Sequence, residues 1–367
     1  MNEIARDIEK KVSAKLGIVD CDIHPAMSSK DELDKYMPVR WREHARAFGA
    51  RTASPFNGAI PYPRLTPGNG MRRDSWPPNG GAPASDLPFL REQLLDPLNI
   101  EFGLLQALGR GGQTLTPGLG AAICSAMNDW QIDKWLDPEP RLRGAISVPP
   151  EDSKAMVAEV EERQKDKRFV QIAIPPRMME PSGRHRYWPL YEVAQQYNLP
   201  ISMHSTSFGV RSNTGSGWAS FYIEEHFAFA NSAQSSLVSM IFEGVFDEFP
   251  NLKLVLVEGG FGWLPPLMWR MDREWERMRK EVPHVKRPPS EYVRENVWVT
   301  SQPIEEPENN RHLYDVLRWM GADRLMFSTD YPHWDFDHPD FVFKVPLSPT
   351  EKAAIMRENA VSLYGLA

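Results

Sequence analysis

The sequence predicts an α/β protein built as a TIM (β/α)8 barrel, with a long Pro/Gly-rich insertion after its first strand. Three observations carry that expectation. Short apolar runs alternate with stretches of helical spacing, the mark of βαβ units and a parallel sheet. Counting from Ile18, with a second strand near Ile100 to Gln106, gives eight such runs. The competing architecture, an open doubly wound sheet, would carry a Gly-rich phosphate loop after an early strand, and this chain has "DCDIHP" there.

The first strand is "IVDCDIHP" (18–25), where Ile18 and Val19 are strand formers and Pro25 ends the run. Alternation places Asp20, Asp22 and His24 on one face, with Cys21 and Ile23 on the other. Residues 51–90 then hold eight Pro and five Gly, a composition expected of a lid or of an arm that contacts a second subunit. "GAISVP" (144–149) is a strand, followed by "DSKAMVAEVEERQKD", a helix with a charged outer face. "FVQIAIPP" (169–176) precedes the helical "YWPLYEVAQQYN", and "LPISMHS" (199–205) precedes one long helical stretch over 220–247. "LKLVLVEGG" (252–260) leads into a helix rich in Trp, Met and Arg. "NVWVTSQP" (296–303), a helix, "RLMFSTDYPH" (324–333) and a last helix in "ENAVSLYGL" complete the series.

Bulk properties bound the function. The 367 residues are read as a single barrel domain, 1–367, with 51–90 inserted. A net charge of −7 without long basic runs argues against nucleic acid or an anionic membrane as partner and leaves a small-molecule substrate. Cys21 and Cys124 provide no disulfide framework and fit a reducing compartment. The charged N-terminal "MNEIARDIEKKVSAKLG" has no secretory pattern, and no apolar run approaches the roughly 18 residues of a membrane helix. A cytoplasmic protein is expected.

In a TIM barrel the chemistry sits at the C-terminal strand ends. Those ends read Asp22 and His24 on strand 1, Arg177 after strand 4, His204 on strand 5, Glu258 on strand 6 and Gln302 on strand 7, with Asp330 and His333 after strand 8. Singly, each has a plain structural explanation: His204 as a helix cap, Asp330 as a turn former in "TDYP", Glu258 as a surface residue before "GG". Together they converge on one rim with metal-ligand chemistry. Asp20 is read as tying down the strand end.

These segments carry a resemblance. "VDCDIHP", "LPISMHS", "GVFDEFPNLKLVLVEGGFGWLP", "MFSTDYPH" and "ENAVSLYGL", in this order, make the chain similar to the amidohydrolase superfamily. The branch it resembles is the amidohydrolase-related one, which includes aminocarboxymuconate-semialdehyde decarboxylase and the γ-resorcylate-type decarboxylases. The resemblance implies a distorted barrel, a divalent metal and a small carboxylate-bearing substrate, and it carries metal ligation to Asp22, His24, His204 and Asp330. There are departures. Strand 1 has Asp-x-His instead of His-x-His; strand 6 ends in Glu258 where the decarboxylases place a His; and "AIPPR" lacks the Lys that bridges two metals in dinuclear hydrolases.

Three reactions follow. Hydrolysis by a metal-activated water, with Asp330 or Glu258 accepting the proton, ranks first on the superfamily's habit. Nonoxidative decarboxylation of a small aromatic or unsaturated acid is the second. The third takes Asp22, His24, His204, Glu258, Asp330 and His333 as a six-donor set for two metals, as in a dinuclear Mn/Fe oxygenase; some amidohydrolase-related proteins use such sites for oxygenation, and outside such a set His333 is read as a proton donor to substrate. Zinc is expected for a mononuclear site, Mn or Fe for a dinuclear one. Arg177 is read as a carboxylate binder or a surface ion pair and Gln302 as a substrate contact; His226 is read as a helix-surface residue, with reach into the site from the long insert after strand 5 as the alternative, and His338 likewise. Arg72 and Arg73 in the insertion are placed near an active site, the chain's own or a neighbour's. Trp263, Trp269 and Trp275 are read as packing, and a homodimer or a pairing with a close paralogue is expected.

Overall fold

The structure, a computed structural model, describes residues 16–29, 31–51, 70–107, 114–205 and 211–366. Eight strands form in the order in which the chain makes them: β1 (Ile18–Ile23), β2 (Ile100–Leu105), β3 (Leu142–Ser147), β4 (Phe169–Ile174), β5 (Ile201–His204), β6 (Leu254–Val257), β7 (Val297–Thr300) and β8 (Leu325–Met326). Each lies parallel to the next, with pairings such as Ile201 opposite Leu254 and Leu254 opposite Val297. The eighth strand is shorter than the apolar run "RLMF" suggests. Beyond it the chain follows β1 through separate bonds that close the barrel. Cys21 N donates to Phe327 O at 3.0 Å, Asp330 N to Asp22 O at 3.1 Å and His24 N to Tyr331 O at 2.8 Å.

Helices return the chain between strands, and their ends follow capping rules. Asp152 accepts from Ala155 N to start Ser153–Arg163, and Asn309 accepts from Arg311 N to start Asn310–Met320. Prolines open Leu264–Met278, where a missing N–H costs nothing. The single long helix expected over 220–247 is instead three: Tyr222–Phe227, Phe229–Phe242 and Val245–Glu248. Gly244, at φ 83°, makes the second break. No described helix is long and apolar enough to cross a membrane.

Among the described residues the core has two main parts, beside a third small cluster of Met37, Leu119, Ala122 and Ala126. Ile172, Leu190, Leu237, Leu254 and Leu256 belong to the large cluster between the strands and the helices. A smaller cluster joins Val19 and Cys21 of β1 to Val255 and Val257 on the opposite wall, so it fills the barrel interior. Ala360, Leu363 and Leu366 of the C-terminal segment close it from below. Val19 and Cys21 alternate inward as a strand requires, but the register then slips: Asp20 faces Gly103 while Ile23 faces Leu105. Three residues of β1 thus oppose two of β2, a bulge that turns Asp22 inward and Ile23 into the outer core. Strict alternation, expected from the sequence, fails there.

Candidate metal centre

The bulge delivers Asp22 and His24 to the barrel mouth, and β5 delivers His204 from across it. His24 Nε2 lies 3.1 Å from Asp22 Oδ1 and 2.8 Å from Asp330 Oδ1. His204 Nε2 lies 3.4 Å from Asp22 Oδ1 and 3.4 Å from Glu258 Oε2. His333 Nδ1 lies 2.6 Å from Asp330 Oδ1. Two overlapping donor triads result, Asp22–His24–His204 and His24–Asp330–His333, each with its donor atoms within 4.8 Å of one another. Asp22, His204, Glu258 and Asp330 are buried, contrary to the surface explanation of Glu258, while Asp330 both lies buried and opens a turn in which His333 N donates to its carbonyl at 2.8 Å.

Backbone geometry aims two of the carboxylates. Glu258 at φ 54° and Asp330 at φ 61° occupy the left-handed region, which side-chain-bearing residues adopt only where their surroundings hold them. After Glu258 the turn needs its glycines. Gly260 sits at φ 62°, and a Cβ there would come within 2.7 Å of Glu305 Oε1. That carboxylate accepts from Phe261 N at 3.0 Å and Gly262 N at 2.7 Å, satisfying backbone groups ahead of helix Leu264–Met278. Asp20 stands apart from the donors. It accepts from Thr329 N at 2.9 Å and Thr329 Oγ1 at 2.6 Å, pinning β1 to the segment that carries Asp330.

The donor set fits a divalent cation. Both oxygens of Asp22, both ring nitrogens of His24 and of His204, and Asp330 Oδ2 are buried without a hydrogen-bond partner. A native interior leaves such groups orphaned only for a reason. Electrostatics agrees. Burial opposes ionisation of Asp22 and Asp330, but neighbouring imidazoles prevail and hold both below the usual carboxylate range: His24 and His204 beside Asp22, His333 and His24 beside Asp330. Burial likewise opposes the His24 imidazolium, but Asp22 and then Asp330 push its pKa up to about 10. Glu258 goes the other way. Burial, then Asp330, Asp22 and Asp335, raise it well above the ordinary carboxylate value. A site that stores protons on His24 and Glu258 is one that a cation could occupy in their place. Mixed oxygen and imidazole donors suit first-row divalent metals.

Other expected residues fall nearby. Gln302 is fully buried; its Nε2 donates to Asp335 Oδ2 at 2.8 Å and its Oε1 is unpartnered. Arg177 is also buried. Its Nη1 donates to Arg211 O at 2.6 Å and lies 3.5 Å from Glu225 Oε1, so it braces the segment above the mouth instead of forming a surface ion pair. His338 accepts from Asp340 N and stacks beside Phe341, away from the donors. Of the insertion, 52–69 lies outside the described residues. Its end, from Gly70, runs along the chain's own mouth: Trp334 N donates to Gly70 O, Arg72 N to Pro332 O, and Met71 bridges His333. Arg72 pairs with Asp74 and covers the Phe336 ring, while Arg73 is exposed.

A second polar group stands at the mouth, of which sequence reasoning misses Asp335 and gives His226 only as the lesser alternative. His226, expected on a helix surface, has its Nε2 3.0 Å from Asp335 Oδ2. Asp335 follows the "TDYPH" motif closely, but nothing in the local sequence marks it or Tyr222.

The eight parallel strands with intervening helices are those of a TIM barrel, and known proteins share this arrangement. The crystal structure of 5-carboxyvanillate decarboxylase from Sphingomonas paucimobilis superimposes with a TM-score of 0.71 at 19% identity, covering 96% of this chain and 100% of that one. Dihydroxybenzoic acid decarboxylase from Polaromonas sp. JS666, solved with bound manganese and the inhibitor 2-nitroresorcinol, gives 0.68 at 20% identity over 96% and 98%. In sequence, the γ-resorcylate decarboxylase of the same Polaromonas strain is 26% identical over 313 residues, 78% of this chain and 93% of that protein. The γ-resorcylate decarboxylase of Rhizobium sp. MTP-10005 is 25% identical over 295 residues, 77% and 88% of the two chains. The family model described as "Amidohydrolase" matches residues 19–366, nearly the whole barrel, and the chain belongs to the amidohydrolase family.

Proposed function

We propose that this protein is a metal-dependent carboxy-lyase that removes CO2 from a small hydroxylated aromatic acid. The observation that carries the reading is the set of buried, unpartnered donors on Asp22, His24, His204 and Asp330 at the barrel mouth. Four curated relatives aligned over most of this chain are γ-resorcylate decarboxylases, which favours decarboxylation over the hydrolysis that the superfamily's habit ranks first. Asp22, His24, His204 and Asp330 would hold the metal, which when bound supplies an electrophilic anchor for a substrate carboxylate. Asp20, through Thr329, keeps the Asp330 loop against β1. Gln302 would offer its buried, unpartnered Oε1 to a substrate hydroxyl.

The test is CO2 release by Mn2+-loaded protein from a panel including 2,6-dihydroxybenzoate and 5-carboxyvanillate. Release from at least one member is expected. No release from any, together with cleavage of amides or esters, would restore hydrolysis.

A second reading, a dinuclear Mn/Fe oxygenase, is favoured by one observation: Glu258 and His333 extend the donors beyond one ion's needs. It predicts two redox metals per chain and O2 consumption. Glu258→Gln would then drop bound metal from two toward one.

A further inference from the structure

Decarboxylation leaves an electron pair on carbon, and a proton must reach it. The imidazoles of the centre, His24, His204 and His333, each turn a nitrogen toward its carboxylates and would be committed there once a metal is bound. His226 is different. It comes from the short helix Tyr222–Phe227 that follows β5, and its Nε2 meets one carboxylate, Asp335, at 3.0 Å. Asp335 is itself held by Gln302, whose Nε2 reaches both Asp335 Oδ2 at 2.8 Å and Asp335 O at 3.3 Å. With Nε2–H given to Asp335, Nδ1 is the nitrogen that can exchange a proton with a substrate.

Its setting suits an aromatic ring. His226 lies 5.8 Å from Tyr222, 5.1 Å from Phe229 and 5.6 Å from Trp334, measured between ring centres. Asp335 follows His333, whose Nδ1 meets Asp330 Oδ1 at 2.6 Å, and it is held by Gln302 just past the end of β7, which places the His226–Asp335 pair at the mouth of the metal centre. The His226 side chain keeps 17% of its surface in solvent, a route for reloading the proton from bulk water.

We propose that His226, positioned by Asp335, is the proton donor that quenches the carbon losing CO2, an inference that rests on the carboxy-lyase reading. The bond between the ring carbon and the carboxylate breaks, and its electron pair stays on the ring carbon. That pair takes the proton from Nδ1 of the imidazolium, CO2 departs neutral, and neutral His226 regains a proton from solvent. His226 is the catalytic residue of the pair and Asp335 the positioning one.

The experiment uses Mn2+-loaded holoenzyme and the best substrate of the panel above. His226→Gln is expected to lower kcat on the order of 100-fold with KM and bound metal unchanged. His226→Ala should regain activity with added imidazole, a rescue that a merely structural role would not give. A His226→Gln enzyme within threefold of wild-type kcat, or a fully active His226→Ala enzyme, overturns the proposal while leaving the carboxy-lyase reading intact. Absence of CO2 release by the wild-type enzyme removes that reading and the donor role together. Should the His226 variants not fold, Asp335→Asn serves: about a tenfold loss in kcat at unchanged KM is expected, and no loss overturns the pairing.

Discussion

The two ends of the barrel solve opposite problems. At the lower end, Val19, Cys21, Val255, Val257, Leu363 and Leu366 pack together, the polar Tyr364 hydroxyl beside them donates to the buried Gln171 Oε1 at 2.8 Å, and the C-terminal segment closes the opening. At the upper end, one bulge and two left-handed residues turn Asp22, Glu258 and Asp330 into the same space and leave their neighbours' donor atoms unpartnered. The lower end is organised for stability. The upper end carries costs that folding alone does not explain, since orphaned buried donors and like-charged carboxylates destabilise unless a ligand compensates. In a single fold, the division separates what holds the chain together from what the chain is for.

Substitutions should therefore sort by end. The largest effect is expected at the upper one. His204→Ala should cost at least about 100-fold in metal affinity, and CO2 release with it, while the far-ultraviolet circular dichroism stays that of the wild type. Leu363→Ala should do the converse. It should lower unfolding free energy by about 2–5 kcal/mol in a denaturant titration and leave metal affinity unchanged. A Leu363→Ala protein that loses metal in step with stability would show that the ends are not separable.

A smaller effect concerns pH. In the metal-free site His24 stays protonated up to about pH 10, so an arriving cation must displace that proton. Raising the pH lowers the competition, and metal affinity should increase about tenfold per pH unit between pH 6 and 9 for one displaced proton. A flat profile would mean that His24 does not ligate. The smallest effect belongs to Asp20, which joins β1 to Thr329. Asp20→Asn should cost about 1 kcal/mol of stability, read by thermal unfolding, with metal content retained.

Much of this was legible in sequence because barrel strands are short, apolar and punctuated. The runs ending in His204, Glu258 and Asp330 identify their strands, and the position of each residue just past the run places it at the mouth. The β1 bulge was not legible, because "IVDCDI" reads as a regular strand and only pairing with β2 shows the extra residue. The breaks at Ala228 and Gly244 hide inside a stretch whose apolar spacing is continuous. Asp335 escapes, and His226 reads first as a helix-surface residue, for a related reason. They lie 109 positions apart, on a short helix after β5 and in a loop beyond β8, where no periodicity indicates which side chains meet.

The central claim is that Asp22, His24, His204 and Asp330 form one metal centre, and calorimetric titration of Mn2+ into chelator-stripped wild-type protein tests it most directly. Saturable binding of at least one ion per chain, with proton release to the buffer, is the expected result. Protein that binds no ion under these conditions, and keeps its full activity after chelation, would contradict it.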